Sequence, residues 1–321
     1  MVLALSFAAA AQVCAQPSVG IPVIGMLCPE SCTIGSTRTG AVGAAFLQHL
    51  GARGYIDGKT VRIDTRAAGV AYGKLPYYAA ELVNRKVAAI LTEGVAATEA
   101  ARRATSTIPI IMVGVPDAAE VGLIESLSHP GANVTGLTYP YVSLAAKQLQ
   151  LLRETVPEAT RIGVILNPAN PEHQRVLPAV ASAAQGAGAQ LVRTPVRLRA
   201  EFAGAMASLK AARVDAVLVL GDQLLYSGEL LWHALDQRLP TISLKPSFVE
   251  AGGLLSYGPS QVELAERAAF FVDRVVSGIA PAALAAEQPL RFELVVNVTT
   301  ARALGVELPS SILLRADRIV R

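Results

Sequence analysis

Three features of the sequence predict an α/β protein built of two doubly wound parallel-sheet lobes with an interdomain ligand cleft. From Pro22 onward, short β-branched apolar runs alternate with longer helical patterns, the rhythm of βαβ units. The runs are almost continuously apolar, as strands covered by helices on both faces must be. An ordered series of segments also recurs in the two halves of the chain, the mark of a duplicated unit.

The expected strands are Val23–Leu27, Val61–Arg66, Ala88–Leu91, Ile110–Val113, Ile162–Leu166, Leu191–Arg193, Ala216–Leu220 and Ile242–Leu244. Between them, Gly40–Arg53, Leu75–Arg85, Ala96–Thr105, Ser143–Val156, Glu172–Gly186, Ala200–Ala211 and Ser227–Gln237 carry helical spacing. The repeat pairs Gly25 with Gly163, Ala88 with Asp215 and Pro109 with Pro240, displacements of roughly 130 residues, as a lobe and its copy would give. After the second half come a helix over Glu263–Val276 and the segments Phe292–Val298 and Thr299–Leu304. These exceed what one lobe needs, so the chain is expected to cross between lobes near Thr138–Tyr139, near Tyr257 and in the neighbourhood of Asn297. The predicted division is a leader at 1–15, one lobe from 20–138 with about 258–292, and another from 139–257 with about 293–321.

With 321 residues, 52% hydrophobic and 17% charged, the chain can bury about three quarters of its unfolded surface. Its 28 basic residues scarcely outnumber its 25 acidic ones and are scattered, which argues against nucleic acid as a partner. The uncharged run Met1–Ala15 ends in the small-residue pattern Val13-Cys14-Ala15 and reads as an export leader without its basic start, or else as a buried strand or helix. Behind it, Cys28 and Cys32 form a Cys-x-x-x-Cys that a disulfide could span in an oxidising compartment, two free thiols being the alternative. Neither a second cysteine pair nor a nearby histidine completes a metal site. No nucleophile elbow, phosphate loop or metalloprotease motif is present, and His49, His129, His173 and His233 are isolated in the sequence. The expectation is a binding protein without cofactor or catalysis.

At Gly54-Tyr-Ile-Asp-Gly-Lys-Thr-Val-Arg-Ile-Asp64 the sequence resembles the ABC-transporter substrate-binding proteins that include the tryptophan-binding TrpX type. The resemblance continues through Ala104–Ile111, Pro130–Gly136, Arg161–Pro168, Leu255–Gly258, Glu287–Asn297 and Ala303–Pro309, nearly the whole chain after the leader. It implies a type I periplasmic-binding-protein fold, a small-molecule ligand and a membrane permease as partner. Two departures bear on the ligand. Pro116-Asp117-Ala118-Ala119 stands where the family often has Gly-Asp-Pro-Val, and the first strand is followed by the unusual cysteine pair.

Ligands of doubly wound sheets lie beyond the carboxyl ends of the strands, so candidates come from the loops there. Ser31, Thr33 and Ser36 follow the first strand and offer hydroxyls near a helix start, where capping is the plainer role. Glu93, Gly94 and Val95 follow the third, with Glu93 suited to a ligand amine and Gly94 to close backbone approach. Asp117 follows the fourth and matches the family motif, although capping a helix would also select it. Tyr139 and Tyr257 sit at expected crossings, Tyr141 close by, and could stack on a flat ligand or simply pack. Asn167 and Asn170 flank a turn in the second lobe, and Asp222 follows that lobe's third strand. These residues predict a monomer that closes on a small metabolite, an amino acid or an aromatic compound, and presents it to a permease. A periplasmic sensing module reporting to a membrane receptor would carry the same lobes.

Overall fold

The computed structural model describes residues 20–29, 31–32, 41–69, 71–222 and 224–321. The leader at 1–15, Thr33 and Ser36 lie outside the described residues.

Five parallel strands form the first sheet: β1 (Val23–Cys28), β2 (Arg62–Ala67), β3 (Ala89–Glu93), β4 (Ile110–Pro116) and β5 (Val134–Tyr139), in the order β2-β1-β3-β4-β5. The second sheet repeats this order with β6 (Arg161–Leu166), β7 (Gln190–Pro195), β8 (Ala216–Val219), β9 (Thr241–Ser243) and β10 (Leu255–Pro259), running β7-β6-β8-β9-β10. It then extends through β11 (Phe292–Asn297), antiparallel to β10, and β12 (Arg318–Val320).

Alternation along each strand distributes side chains to two cores per sheet. On the first sheet, Ile24 and Met26 meet α1 (Ala41–Gly51) and α9 (Gln261–Val276) through Phe46, Leu264 and Phe271. Leu27 and Ile90 meet α2 (Leu75–Asn84) and α3 (Gly94–Ala104) on the opposite face. The second sheet packs α4 (Tyr141–Thr155) and α5 (Pro171–Gly186) on one side. Its other side takes α6 (Phe202–Ala211), α7 (Gly228–Asp236) and α8 (Pro246–Glu250), where Phe202, Met206 and Phe248 are fully buried. Each such side chain contributes about 1.5–3 kcal/mol of transfer free energy.

The duplication extends to local geometry. Gly25 and Gly163, paired by sequence, leave room for a leucine on the second α-helix that follows, α2 or α6: a Cβ would meet Leu82 at 3.0 Å in one lobe and Leu209 at 2.8 Å in the other. Lys86 and Arg213, which precede the third strand of each lobe, both adopt left-handed φ, 52° and 54°, where the preceding helix must end.

The differences from expectation have local causes. Strand β5 was expected only as a crossing, because the glycines of Gly131-Ala-Asn-Val-Thr-Gly136 mask its alternation. Helix α4 begins at Tyr141 rather than Ser143, since the Asp117 carboxylate accepts the Tyr141 N–H at 3.1 Å and caps it. The last return to the second sheet falls between Glu287, whose backbone bridges Leu137 of β5, and Phe292, so it precedes Asn297. Asn297 caps α10 (Val298–Leu304) by accepting from Thr300 N–H at 2.9 Å. A short helix, α11 (Ser310–Arg315), leads into β12.

Candidate functional site

The carboxyl ends of both sheets face one cavity. From the first lobe it is lined by Pro29 after β1, Tyr72 before α2, Glu93 and Gly94 at the β3–α3 junction, and Val113 and Gly114 of β4. The second lobe contributes Glu172 and His173 on α5, Val219 to Gly221 after β8, and Leu244 and Lys245 after β9. Tyr139, Tyr141, Gln148, Pro259 and Gln261 line it where the chain passes between lobes. The walls therefore combine an apolar and aromatic surface with a few polar groups, the composition of small-molecule sites.

Of the residues expected from sequence, Glu93, Gly94, Tyr139, Tyr141 and Asn170 reach this cavity. The others take places around it. Asp117 adopts a left-handed φ of 46° and spends its carboxylate on the α4 cap. Burial is the main cause that raises its pKa above the ordinary carboxylate value. Val95 is buried in the first-lobe core. Tyr257 packs against Phe292, ring centroids 6.0 Å apart, while Ser31 is exposed beside the disulfide that joins Cys28 to Cys32, whose Cα atoms are 5.2 Å apart.

Asn167 and Asp222 form the buried layer behind the site. Asp222 Oδ2 accepts from Asn167 Nδ2 at 3.2 Å, from Asn170 Nδ2 at 3.1 Å and from the Tyr72 hydroxyl at 2.9 Å, and Oδ1 accepts from Leu224 N–H at 2.8 Å. Four donors satisfy a carboxylate that is only 1% exposed, as burial of a charge requires. His173 closes the layer. Its Nδ1 accepts from Asn167 N–H at 2.8 Å, so the proton lies on Nε2, which donates to Gly221 O at 3.1 Å. Burial lowers the basicity of this imidazole, which keeps it neutral.

Several residues at or behind the cavity carried no signal in the sequence. Tyr72 lies before a helix in an unremarkable Ala-Tyr-Gly stretch, and Gln148 is one polar residue within the helical run of α4. His173 was set aside as isolated; it is isolated in sequence and central in space.

Contacts between described residues of the two lobes cross the cavity. Tyr72 of the first reaches Asp222 of the second. Arg175 Nη2 on α5 lies 2.6 Å from Glu99 Oε1 on α3. Gly94 opens α3 with φ +73°, and a Cβ there would meet the Glu172 carboxylate at 3.4 Å. That carboxylate sits close to one helix N-terminus and in the first turn of another, where negative charge is favoured. Burial first, and Glu172 next, push the Tyr139 and Tyr141 hydroxyls up, so both keep their protons. The described form is thus a closed one.

Among the described residues there is no group of acidic, cysteine or histidine side chains that could hold a metal, and no helix long and apolar enough to cross a membrane. A tyrosine-binding protein of Clostridioides difficile is 28% identical over 264 residues, 82% of this chain and 76% of that one. A conserved domain protein of Vibrio cholerae superposes with a TM-score of 0.84 at 24% identity, covering 94% of this chain and all of that one. An ABC domain of Streptococcus pneumoniae solved with L-Trp gives 0.83 at 23% identity, over 94% of this chain and all of the other. The fold is thereby that of the type I periplasmic binding proteins. The family model for ABC transporter substrate-binding proteins matches residues 39–320, and with the two-lobed cavity in place the chain belongs to that family.

Proposed function

We propose that this protein is the extracytoplasmic solute-binding component of an ABC importer and encloses an amino acid or a similar small metabolite with an aromatic or apolar body. The observation that carries this reading is the cavity between the two sheets, which joins tyrosines and aliphatic walls to carboxylate and amide groups from both lobes. The tyrosine-binding relative and the L-Trp complex support an aromatic amino acid as the leading ligand class.

In this reading, residues 20–138 with about 258–292 move as one body against 139–257 with about 293–321, hinged where the chain crosses between sheets. Ligand bridging both lobes shifts the population toward the closed form, and the permease receives that form. The leader at 1–15 directs export, and the bridge between Cys28 and Cys32 suits an oxidising compartment.

The test is a thermal-shift panel on protein purified without refolding, so that trapped ligand survives, with amino acids, aromatic metabolites, nucleosides, sugars and carboxylates. A ligand at a hundred times its Kd adds about 2.7 kcal/mol to apparent stability, so aromatic amino acids should raise the melt clearly. If no compound does so and native mass spectrometry finds nothing bound, the transport reading fails.

A further inference from the structure

We infer that Gln148 reads the ligand: its side-chain oxygen, held toward the cavity, selects compounds that carry an amino group. The inference rests on the binding reading above and names the group that the site demands.

Gln148 sits on α4, is 1% exposed and lines the cavity. Its Nε2 donates to two backbone carbonyls, Tyr257 O at 2.8 Å and Ser243 O at 3.3 Å. Carbonyls only accept, so the atom facing them must be the amide nitrogen, and both of its protons are used. The flip state is therefore fixed by β9 and β10. The oxygen accepts from no described residue, yet it is not sealed among protein atoms as Ser256 Oγ is. It faces the cavity as a pure acceptor.

The hydrogen-bonding groups beside it are committed within the protein or, like it, can only accept. His173 uses both ring nitrogens within the protein, as described above. Asn170 accepts the Glu172 N–H at 3.0 Å and donates to Asp222. Tyr72 gives its hydroxyl proton to Asp222, so toward the cavity it too can only accept. Among the described lining residues, Glu93 and Glu172 stand against the single cation Lys245. A site of this polarity favours a donor with positive charge, which a protonated amine supplies. A buried acceptor left unpaired is what makes such a site reject an analogue lacking the donor.

Calorimetric titration of the full chain with matched compounds tests this. L-tyrosine, L-tryptophan, tyramine and tryptamine carry the amine; desamino-tyrosine and indolepropionate lack it. The wild type should bind the amines about ten- to a hundredfold more tightly than their desamino partners, the worth of a hydrogen bond from a charged group. In Gln148→Met, which keeps length without the acceptor, that ratio should fall about tenfold or more, and an unchanged ratio overturns the inference. Desamino compounds that bind as well as the amines overturn the inference and leave the transport reading standing. Failure of both sets in the wild type overturns the two together. Because Gln148 also ties β9 to β10, the wild-type complex provides a check that needs no variant. Its crystal structure should place the ligand nitrogen about 2.7–3.2 Å from Gln148 Oε1; an amine lodged elsewhere overturns the assignment even if binding is tight.

Discussion

The two lobes share one strand order and even the same tight glycine beneath the same leucine, yet they fix their halves of the cleft by different means. In the first lobe the loop after β1 is pinned covalently, Cys28 to Cys32, with Pro29 of that loop on the cavity wall. In the second the corresponding loop is pinned by hydrogen bonds, through Asn167, Asn170 and His173 around the Asp222 carboxylate. The pair Glu93-Gly94 after β3 corresponds to Leu220-Gly221 after β8. One presents its charge to the cavity, whereas the other presents an apolar side chain and keeps its carboxylate, Asp222, buried one position on. Duplication conserves where a loop is, because the core beneath dictates it. Chemistry at the loop tip is free to diverge.

The comparison breaks most severely at Asp222. Replacing it with Ala strands three buried donors in the second lobe, and loss of one partner from a buried charged network costs about 3–5 kcal/mol. Urea unfolding of Asp222→Ala should show a loss of that order, and a change below about 1 kcal/mol would mean that the network does not hold the lobe. Its counterpart in the first lobe is milder. Opening the Cys28–Cys32 bridge with a Cys28→Ser, Cys32→Ser pair releases a five-residue loop, worth about 2 kcal/mol in the chain-entropy account. Covalent and hydrogen-bonded pins are thus expected to differ about twofold, and a reversed order in the same denaturant series would refute the contrast.

How much of this was legible in the sequence follows from the same difference. The sheets were readable because strands covered on both faces must be apolar throughout, as Ile110–Val113 and Ile162–Leu166 are. The repeat was readable because Gly25 and Gly163 obey the same steric rule. Glu93, Gly94, Tyr139, Tyr141 and Asn170 could be placed at the cavity because they lie at strand ends or in the loops just beyond them. Capping was one of two roles open for Asp117, but which helix it caps could not be read, nor could the role of His173. Asp117 caps a helix 24 residues later, and His173 completes a layer with Gly221, 48 residues away, pairings that only the folded chain brings together. Gln148 gave no sign because helical periodicity shows which face is buried, not which atom of a buried amide is left to meet a ligand.

The smaller predicted effects concern the line where the lobes meet. Tyr72→Phe removes the hydroxyl that crosses to Asp222 but leaves each core untouched. It should therefore leave urea stability within about 0.5 kcal/mol and cost the closed state about 1.5 kcal/mol, the lower value for a hydrogen bond to a charged group. In stopped-flow measurements, that loss should appear as roughly tenfold faster ligand release; equal destabilisation of the whole fold would instead make Tyr72 a structural residue of its own lobe. Arg175→Ala, at the other crossing, should do less. Its guanidinium is 37% exposed against Glu99 at 18%, and a solvent-screened pair of this kind is worth less than about 1 kcal/mol. Release should quicken only a few-fold, and the difference from wild type should fade as salt rises and the Debye length contracts. A salt-independent effect of the size seen for Tyr72 would show that the α3–α5 contact is dry in the closed state and shares the closing role with Tyr72.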